Sequence, residues 1–197
     1  MAASNGHADP SGDGETTYDV LIIGAGISGI NAAYRLQEST PHKKFAILEA
    51  TAHIGGTWAL FKYPGIRSDS DLATFGYAFK PWDGADIADG DAIVEYVNRV
   101  ADDSGISKKI LFQHKVVTAN FSTPDREWQL EVNANGQQKT FRSQFVFLAT
   151  GYYDYDEPLK VVIPGIDNFK GQVVHPQVSI LSFFPSSRKL FRDATED

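Results

Sequence analysis

The chain has 197 residues, close to the size of one ordinary domain, and 42% of them are hydrophobic, enough to fill a core. Its 18 Lys and Arg against 25 Asp and Glu leave a net charge of −7, which does not favour binding to the negatively charged backbone of nucleic acids. We therefore expect no nucleic-acid partner. Zero cysteines exclude disulfides, thiolate zinc sites and thiol nucleophiles, and fit a reducing compartment such as the cytoplasm. No two of the 5 histidines lie four residues apart, so we expect no helical His-x-x-x-His metal site.

The N-terminal segment, residues 1–17, has no apolar stretch and is crowded with Gly, Ser and Asp. This composition predicts a disordered tail and no signal peptide. Further along, no run approaches the ~18 apolar residues needed to cross a bilayer. We therefore expect no membrane partner.

A βαβ unit is predicted from Tyr18 onward. Residues 20–23 are a β-branched apolar run typical of a buried parallel strand. After a cluster of glycines, apolar residues recur at helical spacing over Ile27–Gln37, and a second short apolar strand, Phe45–Leu48, ends at Glu49.

The rest of the chain predicts a long loop, a helix and more strands. Residues 55–69, rich in Gly, Pro and aromatics, form a loop longer than connections usually are unless they are functional. Phe145–Ala149 predicts a strand buried on both faces, in the same sheet as residues 20–23. Between the loop and this strand, a helix is predicted over Asp91–Ala101. After the helix comes an antiparallel meander of three short strands, Lys115–Ala119, Trp128–Val132 and Thr140–Ser143.

Residues 24–29 satisfy the motif G-x-G-x-x-G, placed after a strand and at the start of a helix. In such a motif Gly24 permits a tight turn, Gly26 lets a pyrophosphate approach the backbone, and Gly29 lets helix and strand pack closely. The helix N-terminus offers N–H groups and partial positive charge to the phosphates. Glu49 is placed to accept hydrogen bonds from an adenosine ribose. The motif predicts a dinucleotide site but does not distinguish FAD from NAD.

A second motif decides between them. Residues 55–69 fit G-G-x-W-x-x-x-x-Y-P-G-x-x-x-D, which resembles the signature of Baeyer–Villiger monooxygenases, flavin enzymes that carry FAD on one Rossmann domain and NADPH on another. Paired glycines let a chain pass against a flat ring system, and Trp58 and Tyr63 supply apolar faces that exclude water from it. Asp69 offers a carboxylate to polar ring edges, and Arg67 can meet a cofactor phosphate or the negative charge of a reduced flavin.

The resemblance covers residues 18–177 and implies an α/β fold: a Rossmann-type FAD-binding domain with a parallel sheet and an inserted antiparallel meander, truncated before the NADPH domain. Its cofactors would be FAD and, in a complete family member, NADPH. Its substrate would be a small molecule, a ketone that receives an oxygen atom or a sulfide that is oxidised. The resemblance also implies site residues. Thr57, Trp58, Asp69 and the main chain of Val116 would line FAD, and Arg67, Ser68 and Asp69 would border the NADPH path, with Arg67 and Asp69 the candidates nearest the chemistry.

The similarity ends inside a further family fingerprint, which begins correctly at residues 169–175 and then lacks its aromatic and its Pro or Asp at Ser179 and Ile180. Residues 178–197 predict a divergent tail. Because Gln177-Val178-Ser179 can be encoded by a consensus splice donor, translated intron is one interpretation of this tail and a genuine diverged tail is the other.

The resemblance implies an FAD-dependent monooxygenase that uses NADPH and O2. No second G-x-G-x-x-G follows in this sequence, so three other functions remain open. They are an inactive flavin-binding fragment or interaction module, a flavin module working with a separate NADPH-binding chain, and a short reductase of another class. The complete second motif disfavours the last of these.

Overall fold

The computed structural model of this chain describes residues 16–159, 161–171 and 173–177. Its described residues form two compact units, the first made of residues 16–56 and 95–150 and the second of residues 57–94 and those from 151 onward. Residues 1–15 of the predicted N-terminal tail, and all of the predicted tail 178–197, lie outside the described residues.

The first unit is built on one six-stranded sheet with the order β3-β2-β1-β6-β5-β4. β1 pairs in parallel with β2 on one side and with β6 on the other, and β2 pairs in parallel with β3. The predicted Rossmann-type sheet is therefore confirmed, including the pairing of residues 20–23 with residues 145–148. The strands are β1 Thr17–Ile23, β2 Phe45–Leu48, β3 Ile110–Leu111, β4 His114–Ser122, β5 Glu127–Ala134 and β6 Gln137–Leu148.

Helix α1, Ile27–Ser39, connects β1 to β2 and buries Gly29, Ile30 and Ala33. The four residues of β2 are all buried, as expected of a strand at the centre of a parallel sheet. Together these elements confirm the predicted βαβ unit, with the helix two residues longer at its C-terminal end than its periodicity indicates.

The meander is confirmed and its strands are longer than predicted. β4 pairs antiparallel with β5, and β5 pairs antiparallel with β6. The β4–β5 register shifts between Val116 and Thr118, which marks a β-bulge. Alternate residues of these strands, including Leu130, Val132 and Phe141, join a core cluster with β1 and β2.

The prediction that Phe145–Ala149 is buried on both faces is wrong. Phe145–Leu148 form the C-terminal part of β6, the last strand of the meander, and Phe145, Phe147 and Leu148 are 66%, 52% and 72% exposed. Phe147 pairs with Ile22 of β1 and shares its face of the sheet. Ile22 is fully buried, and its Cγ2 lies 3.5 Å from a Cβ built at Gly29 of α1. Among the described residues of this unit, no element covers the same face at Phe145 and Phe147, so an apolar run that suits burial stays in solvent.

The second unit contains two single-turn helices, α2 Thr57–Leu60 and α3 Leu72–Phe75, and the first turn of α4, Gly90–Asp103. The loop after α2 is ordered by backbone hydrogen bonds to the segment before α4. Ser68 N donates to Ala88 O at 2.9 Å, and Gly90 N donates to Ile66 O at 2.9 Å. In the part of the chain that the structure describes, no helix is both long enough and apolar enough to cross a membrane.

Candidate dinucleotide-binding site

Two glycines of the first motif are required by the fold itself. Gly24 has φ +104°, a backbone conformation that side chains disfavour, and a Cβ there would lie 2.5 Å from Ala149 O. A Cβ on Gly29 would lie 1.9 Å from Gly24 O, so the first turn of α1 packs directly on the glycine-rich turn. Both observations agree with the structural roles predicted for these residues.

Gly26 differs from its two neighbours in the motif. Its φ of −76° and ψ of −174° suit any residue, and a Cβ there would meet the Gly56 backbone at ordinary contact distances, 3.7 Å from Cα and 4.0 Å from N. Gly26 is the N-cap of α1, and no side chain of the described residues caps this helix end. The fold therefore leaves open, at a helix N-terminus, the space that a side chain would fill, as a phosphate cradle requires.

Glu49 lies at the end of β2 and is 7% exposed. Its Oε2 accepts a 2.7 Å hydrogen bond from Ala25 N, in the middle of the glycine-rich turn. Its backbone is held on the opposite side, where its N–H donates to Leu111 O and its carbonyl accepts from His114 N. The structure thus brings Gly24, Gly26, Gly29 and Glu49 together in the first unit, as the sequence predicts.

Thr51 is a partner of Glu49 that the sequence analysis did not identify. Its N–H and its hydroxyl both donate to Glu49 Oε1, each at 2.8 Å. The signal that points to it is spacing, since a threonine two residues after an acid can hydrogen-bond back to it where the chain turns.

Thr57 and Trp58, predicted to line FAD, open the short helix α2 of the second unit, and both are partly buried. The hydroxyl oxygens of Thr57 and Tyr155 lie 3.3 Å apart. Tyr155 has no counterpart in the sequence predictions, and its hydroxyl is the partner that the structure supplies for Thr57.

Arg67, Ser68 and Asp69 lie in the same loop of the second unit but in different environments. Arg67 Nε donates to Asp69 Oδ1 at 3.2 Å, and their side chains are 63% and 87% exposed, so this ion pair adds little to stability. Ser68 is buried, and its hydroxyl donates to Ser70 O at 3.1 Å while accepting from Ser70 N. The serine orders the loop, and the two charged side chains stay in solvent.

Val116 belongs to the first unit, where its side chain packs against the core cluster beside the β-bulge. Only its main chain remains as a candidate contact.

A group of aromatic rings lies together in the second unit. Phe61 lies 5.2 Å from Tyr153 between ring centroids, and the hydrogen-bonding contact between the hydroxyl groups of Tyr152 and Tyr153 raises the pKa of Tyr153. Among the described residues, no three His, Asp or Glu side chains are placed to hold a metal ion.

Comparison with known proteins identifies the class. A model of the NAD(P)-binding Rossmann-like domain matches residues 22–81, and a model of the flavin-binding monooxygenase-like family matches residues 72–184, more than half of the chain. The chain belongs to the flavin-binding monooxygenase-like family. This finding, with the relatives described next, confirms the resemblance to Baeyer–Villiger-type flavin monooxygenases that the second motif indicates.

Among curated relatives, the FAD-containing monooxygenase EthA of Mycolicibacterium smegmatis is 50% identical over 161 residues, and the probable FAD-binding monooxygenase AlmA of Acinetobacter baylyi is 46% identical over 165. These matches cover 81% and 83% of this chain but 33% of each relative. A crystal structure of OTEMO with FAD and NADP is 31% identical, with a TM-score of 0.67, over 81% of this chain and 30% of that one. The chain thus spans about a third of the length of the relatives it matches.

Proposed function

We propose that this chain binds the adenosine-diphosphate half of FAD in its first unit and serves as the FAD-binding portion of a Baeyer–Villiger-type monooxygenase. The relatives described as FAD-containing monooxygenases support the cofactor, and the OTEMO structure with FAD and NADP supports NADPH as the reductant of the complete enzyme. The reaction would insert oxygen into a ketone or oxidise a sulfide, and a cytoplasmic location remains a prediction.

The observation that carries this proposal is Gly26. The fold requires glycine at Gly24 and Gly29 but would accept a Cβ at Gly26, where the nearest atom lies 3.7 Å away. A glycine that the chain does not need, at the N-terminus of α1, is explained by a ligand that approaches the backbone there.

The residues of the first unit have separable tasks. The N-terminus of α1 would hold the pyrophosphate, and the absence of a Cβ on Gly26 would let it come close. Glu49 would accept a hydrogen bond from a ribose hydroxyl. Its negative charge favours an unphosphorylated ribose, as in FAD, over the 2′-phosphate of NADPH. When bound, FAD supplies the redox chemistry by accepting a hydride from a nicotinamide and passing electrons to oxygen.

For the second unit and the meander we keep the roles implied by resemblance. Thr57, Trp58, Asp69 and the Val116 main chain are proposed to contact FAD, with Arg67, Ser68 and Asp69 bordering the NADPH path. The high exposure of Arg67 and Asp69 leaves both side chains free to reorient toward a charged cofactor group. The buried hydroxyl of Ser68 supports a loop-ordering contribution to that path.

A second candidate function is a flavin-binding module that works with a separate NADPH-binding chain, or a flavin-binding fragment without activity. The observation that favours it is the exposure of two flavin-side candidates, since the side chains of Arg67 and Asp69 are 63% and 87% exposed and do not exclude water from a flavin. We therefore expect the adenosine half of FAD to be held better than the isoalloxazine.

Three measurements on the purified 197-residue chain test these alternatives. Calorimetry with ADP tests the cradle, and absorbance near 450 nm after dialysis against buffer tests retention of the flavin. Aerobic NADPH consumption that rises on adding a ketone or sulfide would support the monooxygenase. ADP binding with loss of flavin and no NADPH consumption would support the module, and no binding of ADP or FAD would refute both.

A further inference from the structure

The carboxylate of Glu49 already accepts three hydrogen bonds from the part of the chain that the structure describes, and their distribution is uneven. Oε1 accepts two, from the N–H and the hydroxyl of Thr51, while Oε2 accepts one, from Ala25 N. A carboxylate has about four acceptor positions, two on each oxygen. Oε1 is therefore saturated, and the remaining position lies on Oε2, the oxygen that faces the glycine-rich turn.

The hydroxyl of Thr51 is itself held in place. It accepts from His53 N at 3.2 Å, and its proton goes to Glu49 Oε1 at 2.8 Å, because the carboxylate is closer and more strongly accepting than His53 O at 3.1 Å. The carbonyl of Thr51 accepts from Gln113 N at 2.9 Å, which ties the turn to the start of β4. A buried carboxylate held on three sides cannot rotate without losing these bonds.

We infer that Thr51 is a positioning residue of the nucleotide cradle, which saturates Oε1 of Glu49 and so presents Oε2 alone to one ribose hydroxyl. This inference rests on the proposed dinucleotide site and adds to it a residue and a selectivity. With one acceptor position left, Glu49 recognises one of the two ribose hydroxyls strongly and the other weakly. Removing the Thr51 hydroxyl frees a position on Oε1 and loosens the carboxylate, so this selectivity falls.

The test measures binding of ADP, 2′-deoxy-ADP and 3′-deoxy-ADP to the full chain by calorimetry. Thr51→Val keeps the size of the side chain and the backbone N–H but removes the hydroxyl, and Thr51→Ser keeps the hydroxyl. Thr140→Val is the matched control, since Thr140 Oγ1 donates to the carboxylate of Glu131, on the meander.

In the wild type we expect one deoxy analogue to bind markedly more weakly than ADP and the other to bind nearly as well. Thr51→Val should reduce that discrimination about fivefold, whereas Thr51→Ser and Thr140→Val should retain it. If Thr51 had a purely structural role, Thr51→Val would weaken the binding of all three nucleotides equally and leave the ratios of their Kd values unchanged.

The outcomes separate this inference from the function it rests on. If the wild type binds ADP and Thr51→Val keeps the wild-type ratio of Kd values between the two deoxy analogues, Thr51 does not position Glu49. The same conclusion follows if the wild type discriminates equally against both deoxy analogues. If Thr51→Val fails to fold, retention of the ratio by Thr51→Ala overturns the inference in the same way. If the wild type binds no ADP at all, the dinucleotide site itself is refuted.

Discussion

Replacing Gly26 with alanine should separate nucleotide binding from folding. The backbone at Gly26 suits alanine, and the new Cβ would lie 3.7 Å from its nearest neighbour, Gly56 Cα, an ordinary contact. The lower entropy of the unfolded chain should add about 0.4–1 kcal/mol of stability, and the poorer N-capping by alanine should cost a similar amount, so the fold should keep its stability. In the cradle, by contrast, the methyl group would occupy space that the pyrophosphate needs.

The expected loss of affinity follows from the bonds at stake. A hydrogen bond between a backbone N–H and a charged phosphate contributes roughly 1.5–3 kcal/mol, so displacing one should raise the Kd for ADP by about 10- to 150-fold. Calorimetry measures the Kd, and thermal unfolding of the ligand-free protein measures the stability.

The matched control is Gly29→Ala, the same change three residues along the motif. Its Cβ would lie 1.9 Å from Gly24 O, so the backbone must shift, and overpacking of this kind destabilises by about 1–3 kcal/mol. We expect Gly29→Ala to lower Tm by roughly 2–12 °C while Gly26→Ala leaves it nearly unchanged. Wild-type ADP affinity in Gly26→Ala, or a fall in its Tm like that of Gly29→Ala, would refute the reasoning.

Three further predictions concern the first unit. The ammonium of Lys43 and the N–H of Lys44 hydrogen-bond to the Asp19 carboxylate and lower its pKa. The stability that these bonds add is therefore present above about pH 4 and is lost as the pH falls through the lowered pKa. The difference in Tm between the wild type and Asp19→Asn should shrink below about pH 4, and a difference that stays constant would contradict this prediction. Phe147→Thr should reduce aggregation, measured by light scattering, with little change in Tm, because the Phe147 ring is 52% exposed. Ile22→Thr, at the buried residue that pairs with Phe147, should unfold the domain. Equal effects of the two substitutions on Tm would contradict the exposure of Phe147. Gly24→Ala should lower stability by at least about 1 kcal/mol, since its Cβ would lie 2.5 Å from Ala149 O at φ +104°, and an unchanged Tm would argue against that turn geometry.

The βαβ unit and the positions of the cradle residues could be predicted from the sequence because their signals are local. Apolar runs of four or five residues, helical spacing after Gly26 and an acid at the end of β2 all act over short stretches of chain. The roles of Gly24 and Gly29 also follow from the motif, since the turn and the helix packing involve neighbours in sequence. The N-terminal extension of β6 was missed because Gln137, Gln138 and Lys139 are polar and give no alternating signal. At its other end β6 runs on into Phe145–Leu148, an apolar run that the sequence presents as a strand of its own.

Other properties were decided by tertiary structure, because they depend on residues far apart in the chain. The apolar run 145–148 suits burial on both faces of the sheet. On the face that Ile22 and Phe147 share, α1 covers Ile22, but no described element of the first unit covers Phe147. The sequence likewise places Glu49 at the cradle without showing which of its oxygens is used. Only the fold brings Ala25 N to Oε2 from 24 residues away, and with Thr51 on Oε1 this determines which oxygen remains to accept a ligand.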